Sequence, residues 1–332
     1  MTTYIKEPVF LYDKQYAAGW QDSRPCFNAD ASLIVFMRQV PSTKENPSPP
    51  AALYTIIWQD SGETSPGTIP VQFYPFDNVV PTHTHQATRP DCSWKTNSIA
   101  FTGSVPNNGK TIQHGLFFLS PDESPVYVEI KHKSRSISYP SWYPDGQHIA
   151  VTDYSVNQIL KVDTSKAGSP QTAIELTATN QIWAGMSSVN QVDSTQLCMA
   201  AQPPVHAPKD SHTDMQARYN QNANNVWVQP SLPTPSYPIQ VNGHGNGRAP
   251  WWSPNGECIV FESNYMHADG KSLAIFIYRV ADQSITPVTP LSGWSCQHAK
   301  WHTSNPSQLV CSAKQFVGGV ETRAGIAVVD IS

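Results

Sequence analysis

Histidine, arginine and tyrosine side chains scattered from residue 24 to residue 298 are the groups in this chain with the most specific chemistry. His83-Thr84-His85 places two imidazoles at i and i+2, on one side of an extended segment. His298 or His244 could complete such a set for a divalent metal ion. A metal there could hold a carboxylate and ease removal of a proton from the neighbouring carbon. Arg24 and Arg89 offer a different chemistry, because a guanidinium grips a carboxylate or phosphate through two parallel hydrogen bonds. Tyr139, His298 and Arg248 are the other candidates for contact with such a ligand, together with His244. Residues this far apart form a site only if the fold gathers them, so the elements that carry them decide the question.

Those elements repeat. YPSWYPDGQHIAV from Tyr139 returns as APWWSPNGECIVF from Ala249. Each reads as a strand ending in Trp, a tight Pro-Asp-Gly or Pro-Asn-Gly turn, and a second strand of alternating apolar residues. Weaker copies align with them. RPCFNADASLIVF from Arg24 has Phe27 in the Trp position, and RPDCSWKTNSIAF from Arg89 has its Trp displaced by two. MSSVNQVDSTQLCM from Met186 has lost both Trp and Pro, while HAKWHTSNPSQLVC from His298 keeps Trp301. A third apolar segment follows every copy, and a fourth follows all but the last. An orphan β-like segment, Val9-Phe10-Leu11, can supply the outer strand that the last copy lacks. The expected fold is all-β: a single six-bladed β-propeller over 1–332, built of four-stranded antiparallel blades. Its blades are expected at approximately 21–80, 83–132, 135–178, 183–242, 246–290 and 295–332, with the closing strand within 1–20.

In such a ring the residue before the Pro position enters the innermost strand near the axis. Those residues are Arg24, Arg89, Tyr139, Ala249 and His298, with no clear counterpart in the fourth copy. Arg248 lies one position earlier, and strand alternation could point it elsewhere. The segments carrying His83, His85, His244 and Gln297 lead to the same end. Because these residues differ from blade to blade, they point to one asymmetric mouth; a lectin with equivalent sites needs one polar set repeated. Long loops at 38–51 and 202–225 decorate this face, and the second, with His206, His212, Asp214, Arg218 and Tyr219, is a lid candidate. Two plainer alternatives stand beside the site: the arginines pair with acids such as Asp22, Asp91, Asp153 or Glu262, and the histidines are ordinary loop residues.

The two clear copies resemble the TolB-type propeller repeat, also called WD40-like or PD40, whose signature is P-x-W-S-P-D-G-x-x-I-A-F. The resemblance spans nearly the whole chain and implies fold more than function, since that family includes protein-docking domains, peptidase gatekeepers and sugar-acid lyases. Oligogalacturonate lyases, which carry related repeats, use histidines and a glutamine on the equivalent face, and Gln297-His298 is similar to part of that set. Two functions are therefore expected. The first is a propeller that binds one anionic or carbohydrate-like ligand, or a peptide segment of a partner, at the axial mouth. The second is a metal-assisted lyase acting there on an acidic saccharide, with His83, His85 and His298 as ligands of a divalent metal ion.

Composition narrows the field. Charged residues make up 14% of the chain, against about 25% in ordinary globular proteins, and the net charge is -4. With no Lys/Arg cluster, nucleic acid is not expected as a partner. Lys6 and Glu7 interrupt the apolar region a secretory signal would need, and no apolar span approaches about 20 residues, so a cytoplasmic protein without membrane contact is expected. The six cysteines are scattered singly and read as buried free thiols. No G-x-S-x-G elbow and no glycine-rich phosphate loop is present, which removes serine-hydrolase and nucleotide chemistry.

Overall fold

The structure, a computed structural model, describes residues 5–12, 21–39, 41, 44, 51–58, 71–74, 87–107, 111–120, 125–131, 136–178, 181–202, 224–229, 237–239 and 245–332. Six four-stranded antiparallel sheets follow one another along the chain and form the blades of a propeller. The inner strands, taken in order, are Gln21–Phe27, Ala87–Cys92, Ile137–Trp142, Trp183–Val189, Arg248–Trp252 and Trp294–Trp301. Within each of the first five blades the strands run outward in chain order. In the sixth, the outer place is taken by Val9–Phe10, which pairs antiparallel with the last strand through Val9 opposite Val328 and Phe10 opposite Ala327. The expected closure of the ring by the first strand is therefore observed.

Period-two alternation explains why blades stack. In the second strand of blade one, Leu33–Gln39, Ile34 and Phe36 pack with Val310, Ile326 and Val328 of blade six. Val35, between them, packs with Ile99, Phe101 and Phe117 of blade two. Successive side chains of a strand point to opposite faces, so each blade feeds the core on both sides. The same division recurs around the ring, and six apolar clusters among the described residues each join one blade to the next.

The recurring Trp is part of this packing. Trp142, Trp252 and Trp301 are almost fully buried at the ends of their inner strands. The indole nitrogens of Trp142 and Trp301 donate to the carbonyls of Asp91 and Trp251 in the preceding blade, both at 3.1 Å. Blades one and four place Phe27 and Val189 at this position. In blade two the expected displaced Trp is not an equivalent of the others. Cys92 fills the position, and Trp94, beyond the strand end, packs on the cluster between blades five and six. All six cysteines are free thiols, and all but the half-buried Cys258 are buried.

Candidate functional site

Every inner strand breaks register at the same place. Between Ser23 and Cys26 the inner strand takes three steps while its partner takes two, from Met37 to Val35. The same extra residue occurs between Thr88 and Asp91, Ser138 and Ser141, Gly185 and Ser188, Arg248 and Trp251, and Gln297 and Lys300. This is a β-bulge. Its first residue is Arg24, Arg89, Tyr139, Met186, Ala249 or His298, each with φ between 46° and 58°. That left-handed conformation costs an L-residue about 1–2 kcal/mol, so it persists only where the surroundings enforce it.

A proline follows the bulge residue in four of the blades (Pro25, Pro90, Pro140 and Pro250), and a missing N–H is tolerated where the ladder is already interrupted. The bulge N–H itself finds a partner on the preceding blade. Arg24 N donates to Ser312 Oγ at 3.1 Å, Met186 N to Thr152 Oγ1 at 3.0 Å, and His298 N to Glu262 Oε2 at 2.6 Å. The bulge turns each side chain out of the strand's alternation, and all six line one depression on the axis. It encloses about 420 Å³ of space that no atom fills, open solvent at the mouth included.

The expected mouth residues Arg24, Arg89, Tyr139 and His298 are therefore brought together. Met186 is the counterpart in the fourth blade that sequence alone did not identify. Arg24 Nη2 donates to Tyr139 Oη at 2.9 Å, and the Arg24 and Arg89 guanidinium carbons stand 4.6 and 4.7 Å from the Tyr139 ring centre. Tyr154 meets that ring edge-on at 5.5 Å.

The nearby acids are committed elsewhere. Asp22 binds Arg38 through two hydrogen bonds of 2.6 Å, and Glu262 binds Arg248 at 2.8 Å. Asp91 binds Lys300 at 2.9 Å, while Asp153 accepts from Ser155 N at 2.8 Å. Among the described residues, Arg24 and Arg89 make no ion pair with a carboxylate. Arg248 stands outside the depression, in its pair with Glu262. Pairing of the axial arginines with local acids is thus not what the structure shows.

The electrostatics follow from these positions. Burial alone would raise the Tyr139 phenol, but the Arg24 and Arg89 charges outweigh it and bring its pKa down to about 7. Burial, reinforced by Arg24, Arg248, Arg89 and Lys300, pushes His298 well below the usual histidine range. A neutral imidazole results, and its Nδ1 is buried without a hydrogen-bond partner. Arg89 Nε and Ser187 Oγ are likewise buried and unpartnered, and Ser187 as a whole is only 1% exposed. Behind Arg89, His114 is lowered by burial and then by the arginine.

Sequence reading also missed Lys300. Lys300 reaches across from blade six to blade two, where Nζ donates to Pro90 O at 3.0 Å and to Asp91. It stands 4.0 Å from the Trp251 ring centre. Both residues lie two positions past the bulge, in a column also occupied by Cys26, Asp91, Ser141 and Ser188. Comparing that column would have exposed the opposite charges of Asp91 and Lys300.

His83, His85, His244 and the lid candidates at 203–223 lie outside the described residues. His298 is the one member of the expected metal set that is described. The charges that bear most on its ring are cationic, those of Arg24, Arg248, Arg89 and Lys300. No cluster of metal-ligating residues occurs among the described residues, and no described helix is long and apolar enough to cross a membrane.

No family model matches the chain, and no curated protein matches it in sequence. Solved structures do. TolB from Acinetobacter baumannii is 15% identical over 92% of this chain and 70% of its own, with a TM-score of 0.51. The β-propeller domain of the trilobed protease from Pyrococcus furiosus is 10% identical, covers 95% and 96%, and gives 0.53. An oligogalacturonate lyase in complex with manganese is 11% identical, covers 97% and 82%, and gives 0.50. At such identities the likeness speaks for the fold alone: this chain folds as the TolB-type propellers fold, in agreement with the repeat.

Proposed function

We propose that the protein binds an anionic ligand, carried by a small molecule or a partner segment, at its axial mouth. The observation that carries this reading is the pair of arginines, Arg24 and Arg89, without carboxylate partners among the described residues and aimed into one depression. Two half-buried guanidiniums that share only a phenol lack a counter-charge, and a carboxylate supplies it bidentately. Unpartnered Arg89 Nε, Ser187 Oγ and His298 Nδ1 add hydrogen-bonding capacity on the same walls.

The enzymatic reading, metal-assisted elimination on an acidic saccharide, has the manganese-bound neighbour behind it. The cationic surroundings of His298 weigh against it. The binding reading is tested by titrating the full chain with acetate and with inorganic phosphate. Arg24→Gln and Arg89→Gln should each weaken binding by about ten- to a hundredfold, as expected for a charge-assisted hydrogen bond of about 1.5–3 kcal/mol, with melting temperature shifted by only a few degrees. Unchanged affinity in both variants overturns the reading.

A further inference from the structure

The bulge ring is divided by polarity. In a six-bladed ring, blade one lies opposite blade four and blade two opposite blade five. Arg24 therefore faces Met186 across the axis, and Arg89 faces Ala249. One arc is cationic, and the facing arc is apolar at its bulges, extended by the Trp251 ring, one face of which carries the Lys300 ammonium. Between the two arcs, Lys300 ties blade six to blade two one layer beyond the bulges, so the space under the mouth is crossed by a buried ion pair.

We infer that the ligand is an amphipathic carboxylate, with its acid group on Arg24 and Arg89 and an apolar body of a few carbons on Met186, Ala249 and Trp251. The inference rests on the anion-binding reading and adds the ligand class to it. A sugar acid fits less well, because each hydroxyl it buries needs a partner. On the apolar arc the described lining residues offer the unpartnered Ser187 hydroxyl alone. The Lys300–Asp91 pair limits the body to a short one, since a longer chain would have to pass it or turn back into solvent.

A homologous series of straight-chain carboxylates tests this with the full chain, by calorimetric titration from acetate to octanoate beside galacturonate and inorganic phosphate. Each added methylene buries about 0.8 kcal/mol of apolar surface, so affinity should rise about fourfold per carbon and level off once the depression is filled. Galacturonate should bind no more tightly than acetate. Met186→Gln should bring the factor per carbon toward one, whereas Arg24→Gln should weaken every length alike and leave that factor in place. A flat series, or galacturonate tighter than hexanoate, overturns the amphipathic ligand and leaves the anion site standing. Failure of every carboxylate and of phosphate to bind removes both readings together.

Discussion

Raising the pH should close the mouth to anions through Tyr139, whose phenol titrates at about 7 between Arg24 and Arg89. Once ionised, it supplies the negative charge that the two guanidiniums lack. A carboxylate held by the same arginines would stand about 4 Å from the phenolate, where like charges repel by about 4 kcal/mol at an effective dielectric of about 20. That repulsion is worth about three pKa units, enough to return the phenol of the complex to its ordinary range. Binding above pH 7 therefore takes up a proton, and apparent affinity falls about tenfold per pH unit. Between about pH 6 and about pH 9 the loss should approach a hundredfold. Calorimetric titration with acetate at constant ionic strength, in buffers of different ionisation enthalpy, reads both the affinity and the proton taken up. Tyr139→Phe should flatten the profile. His298 cannot imitate the effect, because burial and its cationic neighbours keep it neutral throughout this window. The ligand-free protein carries the same signature. The native state favours the phenolate from about pH 7, whereas the unfolded chain ionises near about 10. This stabilisation is complete above the unfolded value and is lost as pH falls through the folded one. Tyr139→Phe should therefore cost progressively more stability as pH rises from about 7 to about 10. A pH-independent affinity, or a dependence that survives in Tyr139→Phe, refutes the reasoning.

Two further outcomes concern the frame around the mouth. Asp91→Ala leaves the Lys300 ammonium buried without its carboxylate and removes the acceptor of Trp142 N; urea unfolding should show a loss of about 3–5 kcal/mol, much of it recovered in Asp91→Leu/Lys300→Met. A loss below about 1 kcal/mol would mean that the pair is no tie between the blades. Ala249→Gly should be neutral or stabilise by up to about 1 kcal/mol, because glycine relieves the left-handed strain at φ 46° and offsets its own entropy cost. Destabilisation by more than about 1 kcal/mol, as for glycine in an ordinary strand, would show that the bulge is not strained.

The ring itself was legible because alternation leaves a mark in every blade. Val35 and Phe36 are neighbours in sequence and lie in different interblade cores, and the same division recurs at Ala100, Ala150 and Val260. The bulge position was legible at Arg24, Arg89, Tyr139 and Ala249, where a proline follows it, and at His298 through the Trp301 that its copy keeps. Met186 lacked that marker, and only the register break with its positive φ reveals it. Ion-pair partners were legible only in part: Glu262 was among the acids expected to take an arginine, and it holds Arg248. Asp91 and Lys300 are separated by 209 positions and meet across the axis, while Asp22 turns to Arg38 on the adjoining strand in preference to Arg24 two residues away. Such choices depend on side-chain directions that a bulge changes, and sequence spacing carries no record of them. Trp94 misled for a similar reason: the residue type suggested the blade's packing position, while the chain had already placed Cys92 there.

The six left-handed residues also bear on how this protein could change. The backbone makes the same bend whether it carries Arg, Tyr, Met, Ala or His, so the bend is supported by the blades and not by the side chain it presents. Chemistry at the mouth and packing in the core are thereby uncoupled. A substitution at any of these positions alters what the axis recognises while leaving the interblade clusters untouched, and β-branched residues, which tolerate the bend least, are the ones excluded. The mouth behaves as a set of interchangeable fittings on a fixed frame, through which recognition can diverge while the fold stays constant.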